Sequence, residues 1–237
     1  MSEYSYEGDE LPKFADAVLW KRYFKRHLEP YLTGDVLEVG AGLGATTRLL
    51  YDGRQASWTC LEPDAELADQ LRRCESWPDR NADPEVVVGT LESAELLKLF
   101  DAIIYIDVLE HIEDDQSEVQ RAAKLLKPNG VLIVLSPAHQ FLYSEFDRRI
   151  GHFRRYSRKA LVDLTLEELQ LERVFFLDCA GTLLLFANRL LLRNSEPKRW
   201  QIMFWDRIVI PLSRCFDPIL RYRFGRSIIG VWRGKAE

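Results

Sequence analysis

Hydrophobic residues along the chain follow two rhythms: short unbroken runs, and longer segments in which they recur every three or four positions. The runs fall at 36–39, 57–61, 85–89, 100–107 and 131–135. The 100–107 run is apolar almost throughout, as expected of a strand covered on both faces. Between the runs, 46–51, 65–74 and 114–126 have helical periodicity, stopped at Asp52-Gly53 and at Lys127-Pro128-Asn129-Gly130. Ahead of them Phe14, Ala17, Val18, Tyr23, Phe24, Leu28, Tyr31 and Leu32 predict one helix, with a break, over 14–32. A strand–helix alternation repeated five times predicts an α/β architecture with a parallel, doubly wound sheet.

Beyond the fifth run the rhythm changes. Ser157-Arg158-Lys159 opens a predicted helix reaching Leu169, 171–177 has strand character, and 224–232 returns as a closing strand. Between them, 181–226 is apolar and basic, with runs at 182–192 and 202–220 broken by Pro197, Pro211 and Pro218. Asp178, Asn188 and Arg189 interrupt it, so it falls short of the roughly 20 apolar residues that span a bilayer. Leu183, Leu184, Leu185, Phe186, Leu190, Leu191, Phe204, Trp205, Ile208, Val209 and Ile210, flanked by Arg189, Arg193, Lys198 and Arg199, suit a helix lying in a membrane interface. A cap over an apolar substrate, a dimer contact or an extension of the core would use the same side chains.

With 47% hydrophobic and 29% charged residues in 237, the chain reads as one globular domain. Cys60, Cys74, Cys179 and Cys215 show neither a C-x-x-C pair nor metal-ligand spacing, so reduced thiols and no metal are expected. The acidic start, 2–10, has no apolar core of a secretory signal and points to a cytoplasmic protein, with peripheral contact at the inner membrane surface as an extension of that reading. Charge is uneven: 14 Lys+Arg against 28 Asp+Glu over 1–147, then 18 against 9 over 148–237. A basic final third suits an anionic partner, or simply solvated helix faces.

The most informative turn follows the first run: Glu38-Val39-Gly40-Ala41-Gly42-Leu43-Gly44. Glycines leave no Cβ where a ligand must approach the backbone and accept the positive φ of a tight turn. Their spacing departs from the G-x-G-x-x-G of dinucleotide sites, and Glu38 sits where a pyrophosphate would be repelled. A carboxylate there suits a cation instead. Glu62 lies 18 residues beyond Gly44, near the spacing at which an acidic side chain reaches a ribose diol, although it could equally be a surface acid before the next helix. Asp64 suits the helix cap better.

Glu-x-Gly-x-Gly-x-Gly at 38–44 resembles the first motif of the Rossmann-like, class I S-adenosylmethionine-dependent methyltransferases. Asp107-Val108-Leu109-Glu110-His111-Ile112 at the end of the fourth strand resembles a second motif, and the Leu-Lys-Pro-Asn-Gly turn with the strand after it a third. The resemblance implies a seven-stranded, mostly parallel sheet with an antiparallel last strand, which makes 181–226 a helical insertion between the final two strands. It also implies S-adenosylmethionine as cofactor, held by Glu38, Gly40, Ala41, Gly42, Gly44, Glu62, Pro63, Gly89, Thr90, Leu91, Asp107 and Val108. The chain then divides into a helical lead-in (1–33), a cofactor core (34–139), a substrate-side segment (140–180), the insertion (181–226) and a closing strand (227–237). Tyr4 and Tyr6 are a lid or a frayed end.

The segment 143–157 resembles the Asp-x-x-x-Gly-His-x-Arg-Arg-Tyr-Ser stretch of a subset of these enzymes. That places Asp147, Arg154, Arg155 and Tyr156 at the substrate mouth, with His152, His111 and His139 as candidate bases. A salt-bridge network that only shapes the loop is the alternative. The Asn/Asp-Pro-Pro-aromatic motif of exocyclic amino methylation is absent, so the expected acceptor is a small molecule, lipid or saccharide. A cofactor-binding protein without turnover, and a nucleic-acid methyltransferase using the basic region, are the competing readings; the glycine spacing disfavours a dehydrogenase.

Overall fold

The computed structural model describes residues 10–74, 77, 83–191 and 197–236. Tyr4 and Tyr6, most of the connection at 75–82, Arg193, and the side chains of Asn188, Arg189, Leu190 and Leu191 lie outside the described residues. Seven strands, β1 (Gly34–Val39), β2 (Gln55–Glu62), β3 (Glu85–Val88), β4 (Phe100–Ile106), β5 (Leu126–Pro137), β6 (Leu169–Leu177) and β7 (Ser227–Gly234), form one sheet in the order β3-β2-β1-β4-β5-β7-β6. The first five pair in parallel, and β7 lies antiparallel between β5 and β6. The expected doubly wound sheet with an antiparallel last strand is the one observed.

Helices α1 (Glu10–Ala15), α2 (Val18–Leu28), α3 (Thr47–Leu50), α4 (Ala65–Arg72), α5 (Asp115–Lys124), α6 (Glu145–Arg149) and α7 (Arg158–Val162) accompany the sheet. Neighbouring strand residues feed opposite cores. Val36, Ile104 and Ile133 pack with Trp20, Phe24 and Trp205 on one face, while Leu37, Ile103 and Leu132 pack with Val119 and Leu161 on the other. Both sides are covered, so the strands read as unbroken apolar runs.

Three expectations need correction. The helix predicted over 157–169 ends at Val162, and β6 begins at Leu169. Thr165 Oγ1 accepts from Trp232 Nε1 at 2.8 Å and the Glu168 carbonyl from Lys235 N, so pairing with the end of β7 outcompetes local helix propensity. The 127–130 turn is a bulge inside β5, with Asn129 at φ 62° and Lys127 Nζ bridging Asp35 and Asp101. Pro211 does not break the insertion either. Helices α8 (Cys179–Leu191) and α9 (Arg199–Phe204) lead through a π-helical turn (Trp205–Val209) into α10 (Ile210–Ile219). Pro211 falls in the first turn of α10, where the wider turn before it removes the demand for its missing N–H.

Three buried aspartates tie this arm to the body. Asp206 accepts from Leu19 N and Trp20 N at the start of α2. Asp217 takes Tyr23 OH together with Asp178 N and Cys179 N at the start of α8. Asp178, at φ 68°, accepts from Gly181 N, Ser213 Oγ and Trp205 Nε1. Of the side chains expected at an interface, Trp205, Val209 and Ile210 therefore turn inward and are buried, with Trp205 packed on Phe14 and Trp20. The outer stripe is Phe204, Ile208, Leu212, Phe216, Ile219 and Leu220, all exposed and, but for the adjacent last pair, three or four residues apart.

Candidate active site

The glycine turn joins β1 to α3. Gly40 and Gly42 have φ of 69° and 54°, and a Cβ on Gly40 would lie 2.6 Å from Val108 Cγ2. Val108 thus sets how close the loop after β4 can come to the turn. Glu62 secures the turn from behind: its Oε2 accepts from Gly42 N at 2.7 Å and its Oε1 from Asp64 N at 3.0 Å. Asp64 caps α4, accepting from Glu66 N and Leu67 N, as its sequence position suggested. Glu38 is buried and points into the space before the turn. Its Oε2 accepts from Thr47 Oγ1 at 2.7 Å and Trp58 Nε1 at 3.0 Å, both neutral groups. Burial outweighs those bonds and raises its carboxyl to about 7.

A cavity of about 210 Å³ opens in front of the turn. Glu38, Gly40, Ala41 and Gly42 form one wall, and Asp107, Glu110, His111, Asp147, His152 and Arg155 the opposite one. Leu11, Phe14, Lys21 and Phe24 from α1 and α2, with Trp205 and Arg226 from the arm and the start of β7, close the remaining sides. Asp107 has φ 55° and donates its backbone N–H to Leu135 O at 2.8 Å, which turns its side chain off the strand end and onto the pocket. Burial raises its carboxyl to about 6, against the pull of His152, Arg226, Lys21 and Arg155. Lys21 Nζ donates to Phe14 O and Ala15 O at the end of α1, and burial lowers it to about 8.

The far wall is one hydrogen-bonded unit. Asp147 Oδ1 meets His152 Nδ1 at 3.0 Å, Arg155 Nε at 2.8 Å and Arg155 Nη2 at 2.7 Å, while Oδ2 caps α6 through Ser144 N. Burial pushes Asp147 up, but the bond to His152 and the Arg155 charge dominate and hold it well below the usual carboxylate range. The ring of His111 lies edge-on to that of His152, centroids 4.5 Å apart, and burial with this neighbour lowers its imidazole to about 3. Gly151 and His152 belong to a loop whose Phe153 N donates to Glu110 O at 2.8 Å, linking the segments after β4 and β5.

The structure brings Glu38, Gly40, Ala41, Gly42, Asp107, His111, Asp147, His152 and Arg155 around one cavity. Gly44 faces Leu71 and Trp77 behind the turn, and Val108 buttresses Gly40. Glu62, Pro63, Gly89, Thr90 and Leu91 gather at the ends of β2 and β3, where Gly89 N donates to Glu62 O at 3.0 Å, outside the enclosed cavity. His139 lies apart: it stacks on Phe176 at 5.2 Å and sits between Phe141 and Phe224. Arg154 and Tyr156 turn to Asp115, the tyrosine hydroxyl donating to it at 2.7 Å. Sequence reasoning did not place Glu110, Lys21, Trp205 or Arg226 at the site, and Trp205 stood among the side chains expected at an interface. Glu110 was within reach, being one turn on from Asp107 in the same motif; the others come from distant elements.

Residues 37–132 match a family described as a methyltransferase domain. Over that stretch, from β1 into β5, the chain is similar to a methyltransferase domain. It is 28% identical over 114 residues to a ubiquinone biosynthesis O-methyltransferase of Rickettsia akari (strain Hartford), covering 47% of this chain and 42% of that protein. It is 30% identical over 127 residues to a demethylmenaquinone methyltransferase of Tropheryma whipplei (strain Twist), covering 53% and 51%. The chain thus spans about half the length of the curated relatives it matches. N-methyltransferase NodS from Bradyrhizobium japonicum WM9, solved with S-adenosyl-l-homocysteine, superposes with a TM-score of 0.58 at 15% identity over 96% of this chain and 93% of that one. That likeness concerns the fold alone, which continues through the arm to β7.

Proposed function

We propose that this methyltransferase domain binds S-adenosylmethionine in front of the glycine turn and transfers its methyl group to a small-molecule, lipid or saccharide acceptor. The observation that carries the reading is Glu38, a buried carboxylate at the cavity wall whose hydrogen bonds come only from neutral groups. Such a carboxylate is costly unless a cation arrives beside it. The turn meets the same requirement, since a Cβ at Gly40 would fill the space where the loops converge. Glu38, the Gly40–Gly42 backbone and Asp107 would hold the methionine end, and Glu62 with the ends of β2 and β3 the ribose and adenine. When bound, the cofactor supplies an electrophilic methyl on a sulfonium.

The remaining walls describe the acceptor. Trp20, Phe24 and Trp205 offer an apolar surface, and the guanidinium of Arg226 lies over the Trp205 ring, 4.5 Å from its centroid. Arg155 keeps Nη1 without a partner although the side chain is buried. Together they suit an acceptor with an apolar body and an anionic or strongly accepting group. The quinone-pathway names of the two relatives agree with an apolar acceptor. His152, oriented by Asp147, is the side chain best placed to take a proton from an acceptor hydroxyl.

Calorimetry with S-adenosylmethionine tests the core of this reading. Wild type is expected to bind, and Glu62→Ala to bind about tenfold more weakly, about 1.4 kcal/mol, because Gly42 N and Asp64 N lose their shared acceptor. No binding by wild type ends the proposal; equal binding removes Glu62 from the site.

The arm carries a second element of the reading, delivery from an anionic membrane. No helix among the described residues is long and apolar enough to cross a bilayer. The exposed stripe from Phe204 to Leu220 instead lies beside exposed Lys198, Arg207, Arg221 and Arg223, an apolar face with a basic border. In flotation with vesicles containing phosphatidylserine, the protein is expected to rise at low salt and Ile208→Glu to remain below. Failure of wild type to float at low salt would remove the membrane from the proposal.

A further inference from the structure

Glu110, His111 and His152 each offer a ligand atom to a common point, and these atoms lie within 4.8 Å of one another. Glu110 is fully buried. Its Oε2 accepts from Ser136 Oγ at 2.9 Å, but Oε1 has no partner and lies 3.9 Å from His152 Nε2. That gap is too long for a hydrogen bond. An orphaned, buried carboxylate oxygen is costly to leave unpaired, so something is expected to occupy the position.

His152 is prepared as well. Asp147 stands behind it at Nδ1, 3.0 Å away, and is itself fixed by Ser144 and Arg155. A carboxylate on one imidazole nitrogen leaves the other nitrogen's lone pair aimed forward, which is how proteins commonly orient metal-ligating histidines. The Phe153 N to Glu110 O bond fixes the separation of the two chain segments, so the arrangement does not depend on a flexible loop.

We propose that Glu110, His111 and His152 form a binding site for a divalent first-row cation of the Mn²⁺ or Zn²⁺ type, set into the acceptor wall of the cavity beside Asp107. Two imidazoles and one carboxylate suit such a cation better than Mg²⁺ or Ca²⁺, which favour all-oxygen shells. Bond lengths of about 2.0–2.2 Å place ligand atoms roughly 3–3.5 Å apart, so the groups, now within 4.8 Å of one another, close around the ion as it binds. All three side chains line the cavity, so the open coordination positions face the acceptor, where a hydroxyl or carboxylate oxygen would coordinate; a cation there takes the His152 Nε2 lone pair, and would acidify a coordinated hydroxyl in place of proton removal by His152. The assigned use rests on the methyl-transfer reading; the cation site itself does not.

The test titrates Mn²⁺ into the chelator-stripped full chain and follows the free-ion signal by electron paramagnetic resonance, with S-adenosylmethionine binding measured on the same preparation. One saturable site per chain is expected. Glu110→Gln and His152→Asn should each weaken it by more than about tenfold, and Asp147→Asn by about ten- to a hundredfold by releasing the imidazole. Should Glu110→Gln fail to fold, His111→Ala makes the same measurement. Zinc-edge absorption should report two imidazole nitrogens and at least one oxygen. The proposal fails if wild type shows no saturable binding below about 1 mM, or if Glu110→Gln binds as well as wild type. Intact cofactor binding without the Mn²⁺ site overturns this proposal alone; a Mn²⁺ site without cofactor binding overturns the methyl-transfer reading alone.

Discussion

Gly40→Val is expected to weaken S-adenosylmethionine binding by about a hundredfold or more, close to 3 kcal/mol, while leaving the protein folded. Two costs act at once. Valine is a poor occupant of φ 69°, where a branched Cβ meets its own backbone. Its Cβ would also meet Val108 Cγ2 at 2.6 Å, so either the turn or the segment after β4 must retreat. Retreat of the turn pulls Gly42 N from Glu62; retreat of Val108 shifts neighbouring Asp107. Adding Val108→Ala should relieve the overlap but not the dihedral, and so restore only part of the affinity. Calorimetry on both variants, with circular dichroism to verify folding, decides it, and unchanged binding by the single variant would mean that the ligand lies elsewhere.

The second large effect concerns the arm. Asp178→Ala is expected to cost about 3–5 kcal/mol in urea unfolding, because Gly181 N, Ser213 Oγ and Trp205 Nε1 lose a common buried acceptor. Asp178 also holds φ 68°, a conformation that Asp tolerates better than Ala. Asp178→Asn keeps one acceptor oxygen and should recover a good part of the loss. A cost below about 1 kcal/mol for the alanine variant would show that packing of Trp205 and Ile210, rather than this network, fixes the arm.

What the sequence made legible was set by how local the signal was. The five parallel strands stood out because each is apolar on two faces, and the glycine turn because three small residues beside a carboxylate have few other uses. The hydrogen-bonded unit at Asp147, His152 and Arg155 was visible as an unusual concentration of polar types, although its internal hydrogen bonds left Arg154 and Tyr156 directed to Asp115. His139 illustrates the opposite case. A histidine at a strand end reads as functional until its neighbours Phe176 and Phe224, distant in sequence, are seen around it. Proline spacing misjudged the arm because a single π-helical turn absorbs Pro211, a compensation that has no residue signature. Nor could spacing show that Trp205 faces inward and Phe204 outward, since that depends on Asp206 having been claimed by the start of α2.

The place of β7 has a consequence for how the chain reaches this state. It occupies the middle of the antiparallel half, yet it follows every other strand in the chain, with the whole arm between it and β6. Until 227–234 arrive, β5 and β6 each present an open edge of unpaired amides and carbonyls, and the cradle of Arg226 does not exist. A nascent chain therefore carries two sticky borders from the completion of β6 until β7 is made, the condition under which strands from neighbouring molecules pair wrongly. The final insertion, like a keystone entering from above, closes both borders and brings Arg226 to the cavity in one event.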